Sequence, residues 1–150
     1  MLYRLRDRLQ IIHMKIKTSS PQQTHALAAD LARKTSEGTI YALVGSLGTG
    51  KTEFVRGFVA ALSPDVCVSS PSFTLINTYN TGSFVVHHFD FYRLKSKEEL
   101  VEIGFYEYIN SDAVCFIEWA DMFPEVLPEN SIYIRFYEGN DNCRVITVVN

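Results

Sequence analysis

The stretch "YALVGSLGTGKTEFVRGF", residues 41–58, decides the fold. Its middle, Gly45-Ser46-Leu47-Gly48-Thr49-Gly50-Lys51-Thr52, matches G-x-x-x-x-G-K-[ST] at every fixed position. Glycines let the backbone turn so that successive N–H groups point inward, and the positive end of a following helix adds to the same anion site. Lys51 is of a length to reach the β- and γ-phosphates, and the Thr52 hydroxyl is a Mg²⁺ ligand type. With glycine at about 7% of residues, the pattern arises by chance in on the order of one per cent or less of chains this long. A glycine loop used only for a tight turn would not account for Lys51-Thr52.

The flanks give the motif its required setting. "TIYALVG" before it is a short apolar run suited to a buried strand. In "KTEFVRGFVAAL" after it, Phe54, Val55, Phe58, Val59 and Leu62 make one helical stripe. Upstream, "SSPQQTHALAADLARKTSEG" carries helix signals: Ser20 as cap, Pro21 in the first turn, Gln23 completing a capping box, Gly38 closing the end, and Leu27 and Leu31 facing the core. Downstream, "DVCV" reads as a short strand and "SSPSFT" as a polar loop. "LINTYNTGSFVVHHFDFY" reads as a hairpin turning at Asn80-Thr81-Gly82. In "SKEELVEIG", Ser96 and Glu99 form a second capping box and Gly104 a stop. "DAVCFIEW" is an apolar strand ending in an acid, and "SIYIRFY" with "CRVITVV" is a second hairpin. The sum is an α/β, three-layer P-loop NTPase-like fold, with a mixed parallel and antiparallel sheet flanked by helices.

The 150 residues suit a single domain, 14–150, able to bury its own core. Residues 1–13, "MLYRLRDRLQIIH", space Leu2, Leu5, Leu9 and Ile12 as a helix would and add three arginines, so a presequence or membrane-surface helix is one reading. The other, preferred here, is a weakly ordered extension with Met14 as an alternative start. A net charge of −3 argues against a surface made for nucleic acid, and no DNA partner is expected. No run reaches the 18 or more apolar residues of a membrane helix, and a cytoplasmic protein is expected. Cys67, Cys115 and Cys143 read as buried strand thiols, not as a disulfide frame or a zinc site.

Phosphoryl transfer also needs an acid near the metal. Asp90 ends "FVVHHFD" and Glu118 ends "AVCFIEW". Either one alone is equally a plain strand-end charge, but two in a chain with this loop favour a magnesium site. Glu118 would stand on the metal side, and Asp90 would hold a metal water or orient the attacking one. Thr74 lies where a switch segment would reach the γ-phosphate, although a hydroxyl-rich turn after Pro71 explains it as well. His87 and His88 alternate along a strand, face opposite sides, and read as structural. Arg93 is left open between phosphate, an acid and a partner. Trp119, the single tryptophan, reads as core packing or a contact beside the site. N-K-x-D, an Asp-x-x-Gly and L-S-G-G-Q are absent, which disfavours a Ras-like GTPase and a transporter-type ATPase. No arginine-bearing lid supports a small-molecule kinase.

"GSLGTGKTEFVRGF", "SSPSFTLINTY", "VVHHFDFYRL…EEL…GF" and "CFIEW", in this order and spacing, resemble the bacterial TsaE (YjeE) family from about Met14 to the last hairpin. The resemblance implies a small P-loop ATPase with weak intrinsic hydrolysis. Its cofactors would be ATP and Mg²⁺, and its partner a TsaB–TsaD heterodimer that makes threonylcarbamoyladenosine at position 37 of tRNA. Contact with tRNA would be indirect, through the complex. By the same resemblance Lys51 and Thr52 hold phosphate and magnesium, Thr74 belongs to a switch-like loop, Asp90 is critical for hydrolysis, Glu118 is the magnesium-side acid, and Trp119 adjoins the site. Ser46, Ser72 and Ala120 depart from the family's usual Asp, Thr and Pro, and none of the three removes a phosphate or metal ligand. A nucleotide-gated binding module, with hydrolysis incidental, is the alternative.

Overall fold

The computed structural model describes residues 13–150, so the reading of the first twelve residues lies outside the described residues. Seven strands form one sheet in the order β1-β7-β6-β2-β5-β4-β3. They are β1 (His13–Thr18), β2 (Ile40–Gly45), β3 (Ile76–Asn80), β4 (Val85–Asp90), β5 (Val114–Glu118), β6 (Ile132–Glu138) and β7 (Arg144–Val149). The middle of the sheet, β6-β2-β5-β4, is parallel, and both edges are antiparallel. The parallel strands are the apolar ones because both of their faces are covered.

On one face lie α1 (Pro21–Lys34) and α2 (Lys51–Leu62). Their apolar stripes meet the inward residues Tyr41, Leu43, Phe116 and Ile134. Phe116 sits among aromatic rings, stacked on Tyr41 at 4.9 Å and edge-on to Phe58 at 4.8 Å. The opposite face is covered by two short helices, α3 (Glu98–Glu102) and α4 (Phe105–Ile109), and by two 3₁₀ turns. Phe89, Phe91, Leu100, Phe105 and Ile117 form that second core.

Ser20 caps α1 as its sequence predicts, accepting from Gln23 N–H. Gln23 reaches back one residue further than a capping box requires, to the Ser19 N–H. Gly38 does not close the helix. The cap is Thr35, and Gly38 takes a left-handed turn on the way to β2. "DVCV" is no strand: it pairs with no strand of the sheet, and Val66 and Val68 pack against the core from a loop after α2. Cys67 is therefore exposed, and Cys143 sits in the final turn, so Cys115 alone is a buried strand thiol. Both expected hairpins form. β1 falls where no strand is predicted, and it pairs with β7 through all six of its residues.

Candidate functional site

Ligands of open parallel sheets bind beyond the carboxyl ends of the strands. Three such ends meet here: β2 runs into the glycine loop, β4 ends at Asp90, and β5 ends at Glu118. Asp90 pairs with Glu118 across β4 and β5, and Leu43 pairs with Glu118 across β2 and β5. Side chains alternate along a strand, so Val86, His88 and Asp90 share one face with Val114, Phe116 and Glu118. That face is the one on which α2 lies, which brings Thr52 to the carboxylates.

The loop is shaped by its glycines. Gly50 has φ +103° at the mouth of α2, a conformation closed to most side chains, and Gly48 has φ +74°. A Cβ on Gly45 would stand 2.8 Å from the Phe136 carbonyl of β6, so only glycine fits between the strands. Thr49 is buried and donates to the Ser46 carbonyl at 2.7 Å, fixing the turn. Lys51 lies along the loop, with Nζ donating to the carbonyls of Gly45 (2.6 Å) and Ser46 (2.8 Å) and standing 4.3 Å from the centre of the Trp119 ring.

Thr52 donates its hydroxyl proton to Glu118 Oε1 at 2.7 Å, and His88 Nε2 meets the same oxygen at 2.8 Å. Asp90 Oδ1 accepts the Tyr92 N–H at 2.9 Å. Lys51 and Asp90 are each 5% exposed, Glu118 4% and His88 0%, so this is a charged cluster held out of water. Burial pushes the Asp90 carboxyl above its ordinary value, and the neighbouring Glu118 adds to the rise, against the Tyr92 N–H, His88 and Lys51. Burial likewise lowers Lys51, with Glu118, Asp90 and Asp121 opposing. A bound anion at Lys51 and a cation at the carboxylates would each reverse the cost that drives these shifts.

A cleft of about 390 Å³ opens over the cluster, walled by Leu47, Lys51, Ser70, Ser72, Tyr92 and Trp119. Trp119 follows Glu118 with φ +56°, a left-handed tryptophan, and its ring leans on Tyr92 at 4.8 Å. Backbone strain of this kind costs on the order of 1 kcal/mol and gathers at functional sites.

A protein-family model described as "Threonylcarbamoyl adenosine biosynthesis protein TsaE" matches residues 18–146. The chain belongs to the TsaE family. It is 37% identical over 134 residues to the tRNA threonylcarbamoyladenosine biosynthesis protein TsaE of Bacillus subtilis, covering 89% of this chain and 84% of that one. It is 36% identical to the protein of the same name from Treponema pallidum, over 90% of this chain and 99% of that one. Its fold is similar to the crystal structure of Bacillus subtilis YdiB, with a TM-score of 0.76, 32% identity, and 93% and 86% of the two chains covered.

The TsaE blocks fall on this cleft in part. Lys51, Thr52, Asp90, Glu118 and Trp119 converge, together with Leu47, Gly48 and Gly50 of the loop. Thr74 stands apart: it is exposed, its hydroxyl donates to Asn77 Oδ1 at 2.8 Å, and Ser70 and Ser72 of the same segment line the cleft instead. The segment is nonetheless tied to the cluster. Leu75, left-handed at φ +65°, accepts the Asp90 N–H through its carbonyl at 3.1 Å. Arg93 lies over the exposed Phe73 ring at 4.1 Å, on the cleft wall.

His87 and His88 do face opposite ways, His87 bonding Thr78 Oγ1 at 2.8 Å on the far side. His88, which the sequence reads as structural, also meets Glu118 Oε1 through its Nε2. The available signal is its spacing, two residues before Asp90 on the same strand face. Glu53 also escapes a sequence reading. It borders the cleft and accepts from Arg56, whose guanidinium reaches the Val68 carbonyl at 3.1 Å. His25 on α1 bonds the other Glu53 oxygen at 2.7 Å. Among the described residues no helix is long and apolar enough to cross a membrane.

Proposed function

We propose that this TsaE chain binds Mg-ATP and hydrolyses it slowly, as the energy-coupled subunit of threonylcarbamoyladenosine formation at position 37 of tRNA, working in the cytoplasm with a TsaB–TsaD heterodimer. The observation that carries the reading is the convergence of Lys51, Thr52, Asp90 and Glu118, from two strand ends and one helix start, beneath a single cleft.

In this reading the N–H groups of Gly48 to Thr52 and the Lys51 ammonium hold the phosphates. Thr52 and Glu118 hold the magnesium ion. One carboxylate and one hydroxyl suit Mg²⁺, which takes its remaining ligands from water and phosphate. Bound there, the ion neutralises charge on the β- and γ-phosphates. Thr52 fits the task because it donates its proton to Glu118 and keeps oxygen lone pairs for a cation. Asp90, oriented by the Tyr92 N–H, positions the attacking water, and its raised proton affinity suits a group that accepts a proton. Trp119 walls the nucleotide site, and Thr74 serves through the segment that Leu75 ties to Asp90.

That tie also favours a second reading, in which nucleotide orders the Ser69–Thr74 segment into a docking face and hydrolysis is incidental. A non-hydrolysable ATP analogue decides between them: one round of tRNA modification supports hydrolysis as the reset, and many rounds support gating. The main test is phosphate release from Mg-ATP, by the chain alone and with TsaB–TsaD. A slow rate that rises with the pair is expected. Asp90→Ala should keep ATP binding and lose turnover, and normal hydrolysis by that variant would remove Asp90 from its role.

A further inference from the structure

His88 is the most deeply enclosed titratable side chain of the cluster, at 0% exposure. It is not among the residues that wall the cleft. Its Nε2 meets Glu118 Oε1 at 2.8 Å, while its Nδ1 is the buried side-chain polar atom with no hydrogen-bond partner among the described residues. A carboxylate oxygen accepts, so Nε2 carries the proton of this bond. A buried N–H without a partner is rarer and costlier than a bare acceptor, so Nδ1 carries none. The ring is thereby fixed in one tautomer, at the cost of an unsatisfied nitrogen.

That cost has a return in the geometry of Glu118. Among the described residues both hydrogen bonds to its carboxylate, from Thr52 and from His88, end on Oε1, and Oε2 accepts none. The Thr52 hydroxyl also faces the proposed ligand, whereas His88 sits on β4 beside the strand that carries Glu118 and has no such second task.

We propose that His88 is a positioning residue for the metal-side carboxylate: through Nε2 it pins Glu118 Oε1 and so presents Oε2 to the cation that Thr52 and Glu118 share. The proposal rests on the Mg-ATP reading above. Partners that orient a metal-binding carboxylate typically matter about 10- to 100-fold in metal affinity.

Two measurements test it. The first uses the wild-type chain without nucleotide: ¹⁵N NMR of the histidine rings should show His88 with a pyrrole-type Nε2 and a pyridine-type Nδ1. A ring protonated on Nδ1 overturns the proposal. The second is a Mg²⁺ titration of the ADP-loaded protein, followed by the fluorescence of Trp119, the single tryptophan. His88→Phe keeps the ring and loses the donor, and should weaken Mg²⁺ by about 10- to 100-fold. His88→Gln supplies an N–H close to the Nε2 position and should restore most of that affinity. A packing role predicts the reverse order, with Phe harmless and Gln disruptive, and that order overturns the proposal. Wild-type protein that binds no Mg-ADP defeats the nucleotide reading and this inference with it. Tight binding by both wild type and His88→Phe defeats this inference alone.

Discussion

Gly57 lies on α2 where that helix crosses α1, and replacing it with alanine gives a sharp test of how the two helices hold the site. A Cβ at Gly57 would stand 2.5 Å from His25 Cα and 3.0 Å from both His25 Cβ and the His25 carbonyl oxygen, where ordinary contact begins near 3.4 Å. Two of these atoms are backbone, so no side-chain rotation relieves the overlap, and a helix must move. Overpacking of this kind costs about 1–3 kcal/mol, and a backbone neighbour puts Gly57→Ala at or above the top of that range. Alanine returns about 1 kcal/mol in helix propensity. The net loss is about 2 kcal/mol, which for a chain of this size lowers the melting temperature by roughly 4–8 °C. Which helix yields is also set by the structure. Phe54 and Phe58 seat α2 against Phe116 and Phe136, so α1 should back away and leave Lys51 and Thr52 in place. Circular dichroism melts and urea titrations measure the stability, and a nucleotide titration should find affinity largely kept. The double variant Gly57→Ala, His25→Ala should remain destabilised, because the clash is with backbone. A Gly57→Ala protein as stable as wild type would refute the close crossing of α1 and α2.

Asp90→Asn should stabilise the nucleotide-free protein at neutral pH. Burial raises the folded-state pKa of Asp90, so the wild-type carboxyl costs nothing below its unfolded value of 3.8, and its penalty grows as pH rises through the folded value. The advantage of the Asn variant should therefore vanish near pH 4 in urea titrations, and an advantage independent of pH would contradict the assignment. Alkylation should reach the exposed Cys67 first, while Cys115, buried and pushed up to about 12, reacts only on unfolding. Mass spectrometry of the partly labelled native protein checks this. Arg56→Ala should release the Val68 carbonyl and raise hydrogen exchange across Ser69–Thr74, leaving exchange in β5 unchanged.

The loop, its strand and its helix were legible because a phosphate grip needs glycines, a lysine and a hydroxyl at fixed spacing, and α2 carries an unbroken apolar stripe. Asp90 and Glu118 were legible as strand-end acids. Their convergence was not, since the register that sets them side by side is a property of β4 pairing with β5. β1, "HMKIKT", draws no prediction: it is a six-residue edge strand whose only sheet partner, β7, lies at the other end of the sequence. "DVCV" differs in the opposite way: its β-branched residues suit a strand, but it joins no strand of the sheet, and the Val68 carbonyl accepts from the Arg56 guanidinium instead. The place of Thr74 was set by the family resemblance, whereas the fold turns its hydroxyl to Asn77 and puts Ser70 and Ser72 on the cleft. His88 follows the same logic: alternation tells which face it takes, but its partner comes from another strand.

The pairing of β4 with β5 also determines where this chain can change length. A single residue gained or lost inside either strand would turn Asp90 or Glu118 from the α2 face to the opposite one, so the two carboxylates would part even with every side chain retained. The turn at Thr81–Phe84 lies at the other end of β4, and it closes on itself through Thr81 and Phe84. Residues added there extend the β3–β4 hairpin outward and leave the β4–β5 register alone. That turn is where a tag or a spacer can be inserted without disturbing the cleft, and β4 and β5 are where even a conservative deletion would dismantle it.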